Sequence, residues 1–226
     1  LFHVKHLRIV VVGTGTNIGK THASVSILKA LVALGVPATG LKPVESGVGL
    51  ELSDTAQLAA ASSRSPKLPP PYVFPDPLSP HLAARRAGVP IEVGRIVRWV
   101  RGHTESSLVI ETAGALLSPL GRQRSNLTLA EALTPTALVL VAPDRLGALH
   151  EVASAVVALQ ALAPQLPCPI VLLQPPSAPD ASTGTNADEL QALGIVEQAW
   201  TLQQDADPGA NAPVVLEALR AAGCFT

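Results

Sequence analysis

Four β-branched residues, Ile9-Val10-Val11-Val12, run into Gly13, and the pattern predicts a buried strand. From residue 19 to 34 the apolar positions Val25, Ile27, Leu28, Leu31 and Val32 follow helical spacing, and Gly35 supplies a stop. Residues 38–42 read as a second strand ended by Pro43, and residues 54–61 as a helix with Ser53 as N-cap. Residues 66–80 are dense in proline and read as loop, because proline lacks the amide hydrogen that helices and strands use. Helices are expected over 82–87 and 91–101, then a strand at 108–110 leading into a glycine-containing turn at 112–115. A strand at 137–141, a helix at 149–162 and a strand at 169–173 follow. The reading ends with a helix at 187–193, a strand within 195–202 and a helix at 214–222. Short apolar strands alternating with helices predict an α/β fold: three layers, with a mostly parallel central sheet covered by helices on both faces.

In such sheets ligands bind at the carboxyl ends of the strands. That rule gathers three polar segments, 13–21, 42–46 and 111–114, on one edge of the molecule. The first, Gly13-Thr14-Gly15-Thr16-Asn17-Ile18-Gly19-Lys20-Thr21, sits between a strand and a helix, where a Gly-rich loop can cradle phosphate. Its glycines let backbone N–H groups turn inward, and the helix start adds partial positive charge. Lys20 is the candidate cation for a terminal phosphate and Thr21 a hydroxyl ligand for Mg²⁺. The usual loop has its leading glycine at the position held here by Thr14; in this chain it is one residue earlier.

Lys42, after the second strand, reads either as a second phosphate-facing cation or as a solvated lysine. Asp54 reads either as a metal ligand or as an acid that complements a helix dipole. Glu111 ends an apolar strand, where a carboxylate is costly unless paired or metal-bound. Thr21, Asp54 and Glu111 together supply oxygen ligands that Mg²⁺ can share with substrate phosphates and water. His22, His103 and His150 lack metal-ligand spacing.

Composition narrows the rest. The 226 residues suit one domain, 1–226, with residues 1–7 read as a disordered leader that includes His3 and His6. Hydrophobic residues make up 47% of the chain, and the formal net charge of −1 gives no electrostatic case for a nucleic-acid partner. No apolar run approaches the ~20 residues needed to cross a bilayer. No signal peptide is expected near the start, and two distant cysteines, Cys168 and Cys224, read as reduced thiols of a cytoplasmic protein.

Taken in order, the motifs resemble the dethiobiotin synthetase family, within the P-loop NTPase superfamily. Residues 13–21 are similar to that family's G-T-x-T-x-[VI]-G-K-T, displaced glycine included. Residues 40–47 resemble its G-x-K-P-V-x-S-G, Ser53-Asp54 its S-D, and 78–81 its x-S-P-H. Residues 111–115 with Pro119-Leu120 resemble E-G-A-G-G and P-L, and Leu146-Gly147 resembles the L-G before a later helix.

The resemblance implies an ATP- and Mg²⁺-dependent cyclo-ligase. CO₂ adds to one amine of 7,8-diaminopelargonate to give a carbamate, the carbamate takes the γ-phosphoryl group of ATP, and the neighbouring amine closes a cyclic urea. It implies catalytic roles for Lys20, Lys42 and Thr16, and nucleotide contacts at Gly15, Asn17, Ile18, Gly19, Lys20, Thr21, His22, Asp54, Glu111 and Gly114. It further implies substrate contacts at Ser46, Gly147 and His150, and a homodimer with the substrate tail at the subunit interface.

This chain departs from the family pattern at Thr112 and Ala115, where glycines are expected, and at His150-Glu151, which replace Asn-His. Gln174-Pro175 replaces an adenine-reading Asn-Asp. Crowding by Thr112, repulsion of the substrate carboxylate by Glu151 and altered base selectivity are the corresponding expectations. They leave a nucleotide-binding paralogue, with another substrate or a non-catalytic role, as the alternative. A partitioning-type ATPase fits less well, since Gly15 stands where a second lysine belongs and the last helix has no basic face.

Overall fold

The computed structural model describes residues 6–49, 53–104, 106–204 and 207–225. Residues 1–5 of the expected leader, with His3, lie outside them, while Leu7 is buried and donates its N–H to Ser107 Oγ. The first apolar run becomes β1 (Arg8–Gly13), which takes the middle of the main sheet. The helix α1 (Lys20–Ala33) crosses to the edge strand β2 (Ala38–Leu41). The chain then returns through β5 (Ser107–Glu111), which pairs with both β1 and β2. On the other side of β1 lie β8 (Ala137–Pro143), β9 (Pro169–Gln174) and β10 (Ala199–Thr201). Among the described residues the order is β10-β9-β8-β1-β5-β2, with every pairing parallel. The order reverses beside β1, so the loop after β1 opens at the switch point where α/β sheets bind ligands.

Alternation along the strands sorts the core into two layers. Val10 and Val12, Leu138 and Leu140, and Val171 and Leu173 face one cluster; Ile9 and Val11, Val139 and Val141, and Ile170 and Leu172 face the other. Both faces are buried, which is why these strands read as unbroken apolar runs rather than alternating ones. The first layer holds α3 (Pro80–Ala87), α4 (Val93–Arg101), α5 (Asn126–Leu133), α6 (Ala148–Leu162) and α7 (Asn186–Ala192). The second holds α1, α2 (Asp54–Ala61) and α8 (Ala212–Ala221). Among the described residues no helix is long and apolar enough to cross a membrane.

The proline-dense stretch is not all loop. Tyr72–Phe74 forms β4 and pairs in parallel with β3 (Val44–Ser46). Prolines flank this strand without entering it, so its own amides remain free: Tyr72 N–H reaches Pro43 O at 3.2 Å. Tyr72 and Phe74 turn into the core while Val73 faces out, a two-residue period too short to stand out between prolines. Pro80 opens α3 at the first helical position, where its missing N–H costs nothing. The strand expected within 195–202 is confined to β10. A small antiparallel pair, β6 (Pro119–Gly121) with β7 (Arg124–Ser125), together with α5, fills a region given no element from sequence.

Candidate active site

The loop after β1 is braced where it begins. Thr14 N–H donates to Val141 O at 3.0 Å, and Leu116 N–H donates to Gly13 O at 2.8 Å. The displaced glycine has a steric cause, since a Cβ at Gly13 would lie 2.7 Å from Ile18 Cδ1 and 2.9 Å from Lys20 Cδ. Gly19 caps α1 at φ 87°, a left-handed conformation that favours glycine, and Asn17 stands at φ 55°, where Asn is among the better-tolerated side chains. Lys20 is only 6% exposed, and its ammonium donates to Gly15 O at 2.7 Å, across the concave side of the loop. Burial lowers its pKa from 10.5 to about 8. Glu111 opposes that shift, Lys42 adds to it, and Asp54 opposes it.

β5 and the start of α2 complete the site. Glu111, 0% exposed, lies 2.6 Å from Lys42 Nζ through Oε1. Lys42 also donates to Asp54 Oδ2. The Thr21 hydroxyl lies 2.9 Å from Asp54 Oδ1 and 3.0 Å from Glu111 Oε1, one hydrogen between two acceptors. Burial alone would lower the Lys42 pKa, but Glu111 and then Asp54 raise it above its ordinary value. Burial raises Asp54, but the Lys42 charge and hydrogen bond, helped by Thr21, hold the carboxyl below the usual range. Removing an ion from water costs several kcal/mol, so this cluster persists only because its charges meet. Glu111 Oε2 is buried with no hydrogen-bond partner among the described residues. That open oxygen, with Asp54 and the Thr21 hydroxyl, is a hard-oxygen donor set suited to Mg²⁺. No group of three or more His, Cys, Asp or Glu among the described residues could hold a metal unaided. A divalent cation here would therefore share its shell with phosphate and water.

Residues 7–209 match the family described as "AAA domain". A protein of Anaeromyxobacter dehalogenans (strain 2CP-1 / ATCC BAA-258), named ATP-dependent dethiobiotin synthetase BioD, is 36% identical over 87% of this chain and 90% of its own length. One of the same name from Methylobacterium nodulans is 35% identical over 75% of this chain and 81% of its own. The chain belongs to the ATP-dependent dethiobiotin synthetase family. Solved structures add the fold: a ParA family ATPase of Chlorobium tepidum superposes with TM-score 0.54 at 15% identity, covering 96% of this chain and 92% of that one. The MinC:MinD complex of Aquifex aeolicus contributes a chain at 0.53 and 12%, covering 96% and 93%. At such identities the likeness is one of architecture.

Within the dethiobiotin synthetase frame, the structure brings Lys20, Thr21, Lys42, Asp54 and Glu111 together. Gly15, Thr16, Asn17 and Ile18 lie in the loop beside them, and Gly114 follows Glu111 at φ 86° near Thr16 and Ser118. Ser46 stands apart in its bonding: its hydroxyl donates to Leu78 O at 2.7 Å and ties β3 to the segment before α3. Gly147 caps α6, and His150 lies exposed on the first turn.

Two expected liabilities resolve differently. Thr112 is buried, with its hydroxyl and N–H both donating to Val11 O, so its polar atom is bound to the backbone of β1. Glu151 accepts from Thr14 Oγ1 at 2.8 Å and from Arg145 Nη2 at 2.9 Å, so its charge is paired and braces the phosphate loop against α6.

Sequence reasoning passed over three supporting residues. Glu45, buried in β3, accepts from Asp54 N–H (2.7 Å) and the Thr55 hydroxyl (2.5 Å), capping the helix that carries Asp54. Asn126 Nδ2 donates to Ala113 O and Ala115 O, each at 2.8 Å, and pins the turn after Glu111. Buried Asp144 accepts from Asn186 Nδ2 (2.6 Å) and Gly184 N–H (2.9 Å), fixing the end of β8. Glu45 lies in the family-like segment 40–47 but at a variable position of its pattern, and Asn126 and Asp144 act through partners more than ten residues away, so nothing local marked any of the three.

Proposed function

We propose that this chain closes the cyclic urea of dethiobiotin from 7,8-diaminopelargonate, CO₂ and ATP. The observation that carries the reading is the meeting of Lys20, Lys42, Asp54 and Glu111 at one phosphate-loop mouth, contributed by four separate segments. Phosphoryl transfer asks a protein mainly for positioning and charge neutralisation. The loop N–H groups and Lys20 hold the triphosphate. Lys42, poised between the two carboxylates, neutralises charge on the transferring group. Thr16, exposed at the mouth, offers its hydroxyl to the carbamate, and Ser46 lines the approach from β3. Thr21, Asp54 and Glu111 would hold Mg²⁺, which supplies further neutralisation of phosphate charge when bound. The substrate tail carboxylate goes to the N-terminus of α6, at Gly147 and His150, with Arg145 close by.

We further infer a homodimer. Leu117 and Leu146 are exposed large apolar side chains in the loops after β5 and β8, on the same edge as the site, and Leu146 is 74% exposed. A second copy covering that edge would bury both. A cytoplasmic location suits a reaction that consumes ATP, and it suits an exposed free thiol such as Cys168.

The decisive experiment combines protein, ATP, Mg²⁺, bicarbonate and the diamine, and measures dethiobiotin by mass spectrometry alongside phosphate. Diamine-dependent phosphate release with one cyclic urea per phosphate is expected. Nucleotide binding with no diamine-dependent release would sink the proposal.

A further inference from the structure

The phosphate loop is held unevenly. Its later part runs into α1, and His22 on the first turn of that helix places Nδ1 2.7 Å from Gln174 Oε1 at the end of β9. Its earlier part has less support. Among the described residues, Thr14 carries the one side chain of residues 14–18 that hydrogen-bonds another element: Oγ1 donates to Glu151 Oε2 at 2.8 Å. Glu151 stands on the first turn of α6, and its Oε1 accepts from Arg145 Nη2 at 2.9 Å. The segment that carries Arg145 is itself anchored. Asp144 N–H donates to Gln174 O at 2.8 Å, Leu146 N–H donates to Asp180 Oδ2 at 2.8 Å, and Arg145 Nη1 donates to Leu146 O at 3.0 Å. A line of contacts therefore runs from the fixed end of β8 through Arg145 and Glu151 to the second residue of the loop.

Charge matters here as much as bonding. A carboxylate hydrogen-bonded to the loop lies within the ~10 Å over which charges still act through salt water, so by itself it opposes a triphosphate bound there. Arg145 offsets that opposition, and with Glu151 25% exposed and Arg145 44% exposed, solvent screens the pair only in part. We propose that Glu151 is a positioning residue for the nucleotide phosphates: through Thr14 it holds the loop in the shape that turns its N–H groups inward, and Arg145 keeps its charge from repelling what the loop binds. The proposal rests on the reading above, in which this loop holds the triphosphate. A loop already shaped binds without the cost of ordering itself. The family pattern has His where this chain has Glu151, so the tie is a property of this chain.

The test measures calorimetric affinities of tripolyphosphate with Mg²⁺, a probe that carries neither base nor diamine. The proteins are the wild type, Thr14→Val, Glu151→Gln, Arg145→Met and the double variant Arg145→Met/Glu151→Gln. Thr14→Val keeps the shape and loses the bond, and should weaken binding about tenfold, the scale of one hydrogen bond to a charged group. Glu151→Gln keeps an acceptor for the Thr14 hydroxyl and should stay within about threefold of the wild type. Arg145→Met leaves an unpaired carboxylate on the loop and should weaken binding about fivefold or more, and the double variant should regain most of that loss. A role confined to packing would not be rescued by removing the second charge. Wild-type affinity in Thr14→Val, or an Arg145→Met loss undiminished in the double variant, overturns this inference and leaves the phosphate site standing. Failure of the wild type to bind either ATP or tripolyphosphate overturns the inference together with the reading beneath it.

Discussion

Lys42 holds two roles that mutation can separate. Its ammonium compensates Glu111, a fully buried carboxylate, and in the proposed reaction it neutralises phosphate charge. Lys42→Met keeps the volume and removes the cation, leaving Glu111 short of a partner. Urea unfolding should show a loss of about 3 kcal/mol, as when one member of a buried pair is deleted. Added Mg²⁺ should raise the unfolding midpoint of this variant more than that of the wild type, because the carboxylates no longer hold a competing ammonium. Equal Mg²⁺ shifts in both proteins would argue against Asp54 and Glu111 as the cation's ligands. Lys20→Ala acts elsewhere. Lys20 bonds to Gly15 O within the loop, so its removal should spare the fold yet lower turnover by about a hundredfold or more, read as diamine-dependent phosphate release.

At the scale of elements, the site depends on how two segments are pinned. α2 begins with a double cap: Ser53 accepts from Ala56 N–H, and Glu45 accepts from Asp54 N–H and the Thr55 hydroxyl. Glu45→Ala should cost about 1–2 kcal/mol, the range of a lost N-cap interaction. By loosening Asp54 it should also lower kcat more than it weakens nucleotide binding; steady-state kinetics with a nucleotide titration read the split. The turn after β5 hangs on Asn126, whose amide serves two carbonyls from the first position of α5. Asn126→Ala strands both. A loss of about 1–3 kcal/mol is expected, with faster amide hydrogen exchange across 112–118 than elsewhere in the sheet.

For the whole molecule, the switch point beside β1 explains why one edge carries all the chemistry. Helices cover both faces of the sheet, so the open ground is the strand ends, and the loops that build the site there come from β1, β2 and β5, with that of β8 beside them. If a second copy covers Leu146, Leu146→Glu should shift the protein from dimer to monomer in sedimentation, and the tail-binding half of the site should weaken with it. A monomeric wild type at micromolar concentration would remove that part of the proposal.

Most of the main sheet, the helices around it and the phosphate loop were legible along the chain, because each is written in neighbouring residues: apolar runs for buried strands, helical spacing for α1 and α6, glycines before a Lys-Thr pair. Glu111 was legible as a candidate because it ends an apolar strand, where an acid needs a partner, whereas Asp54 at a helix start could equally have been an acid complementing the dipole. What the chain could not show was partnership across distance. Lys42 as the counterion of both carboxylates, Thr112 bonded to Val11 O, Glu151 neutralised by Arg145 and Gln174 hydrogen-bonded to His22 are pairings between residues six to more than a hundred positions apart. Local pattern determines which element a segment forms. Only the packing of those elements determines which polar groups leave water together, and a buried charge or amide takes its chemical role from the partner it meets there.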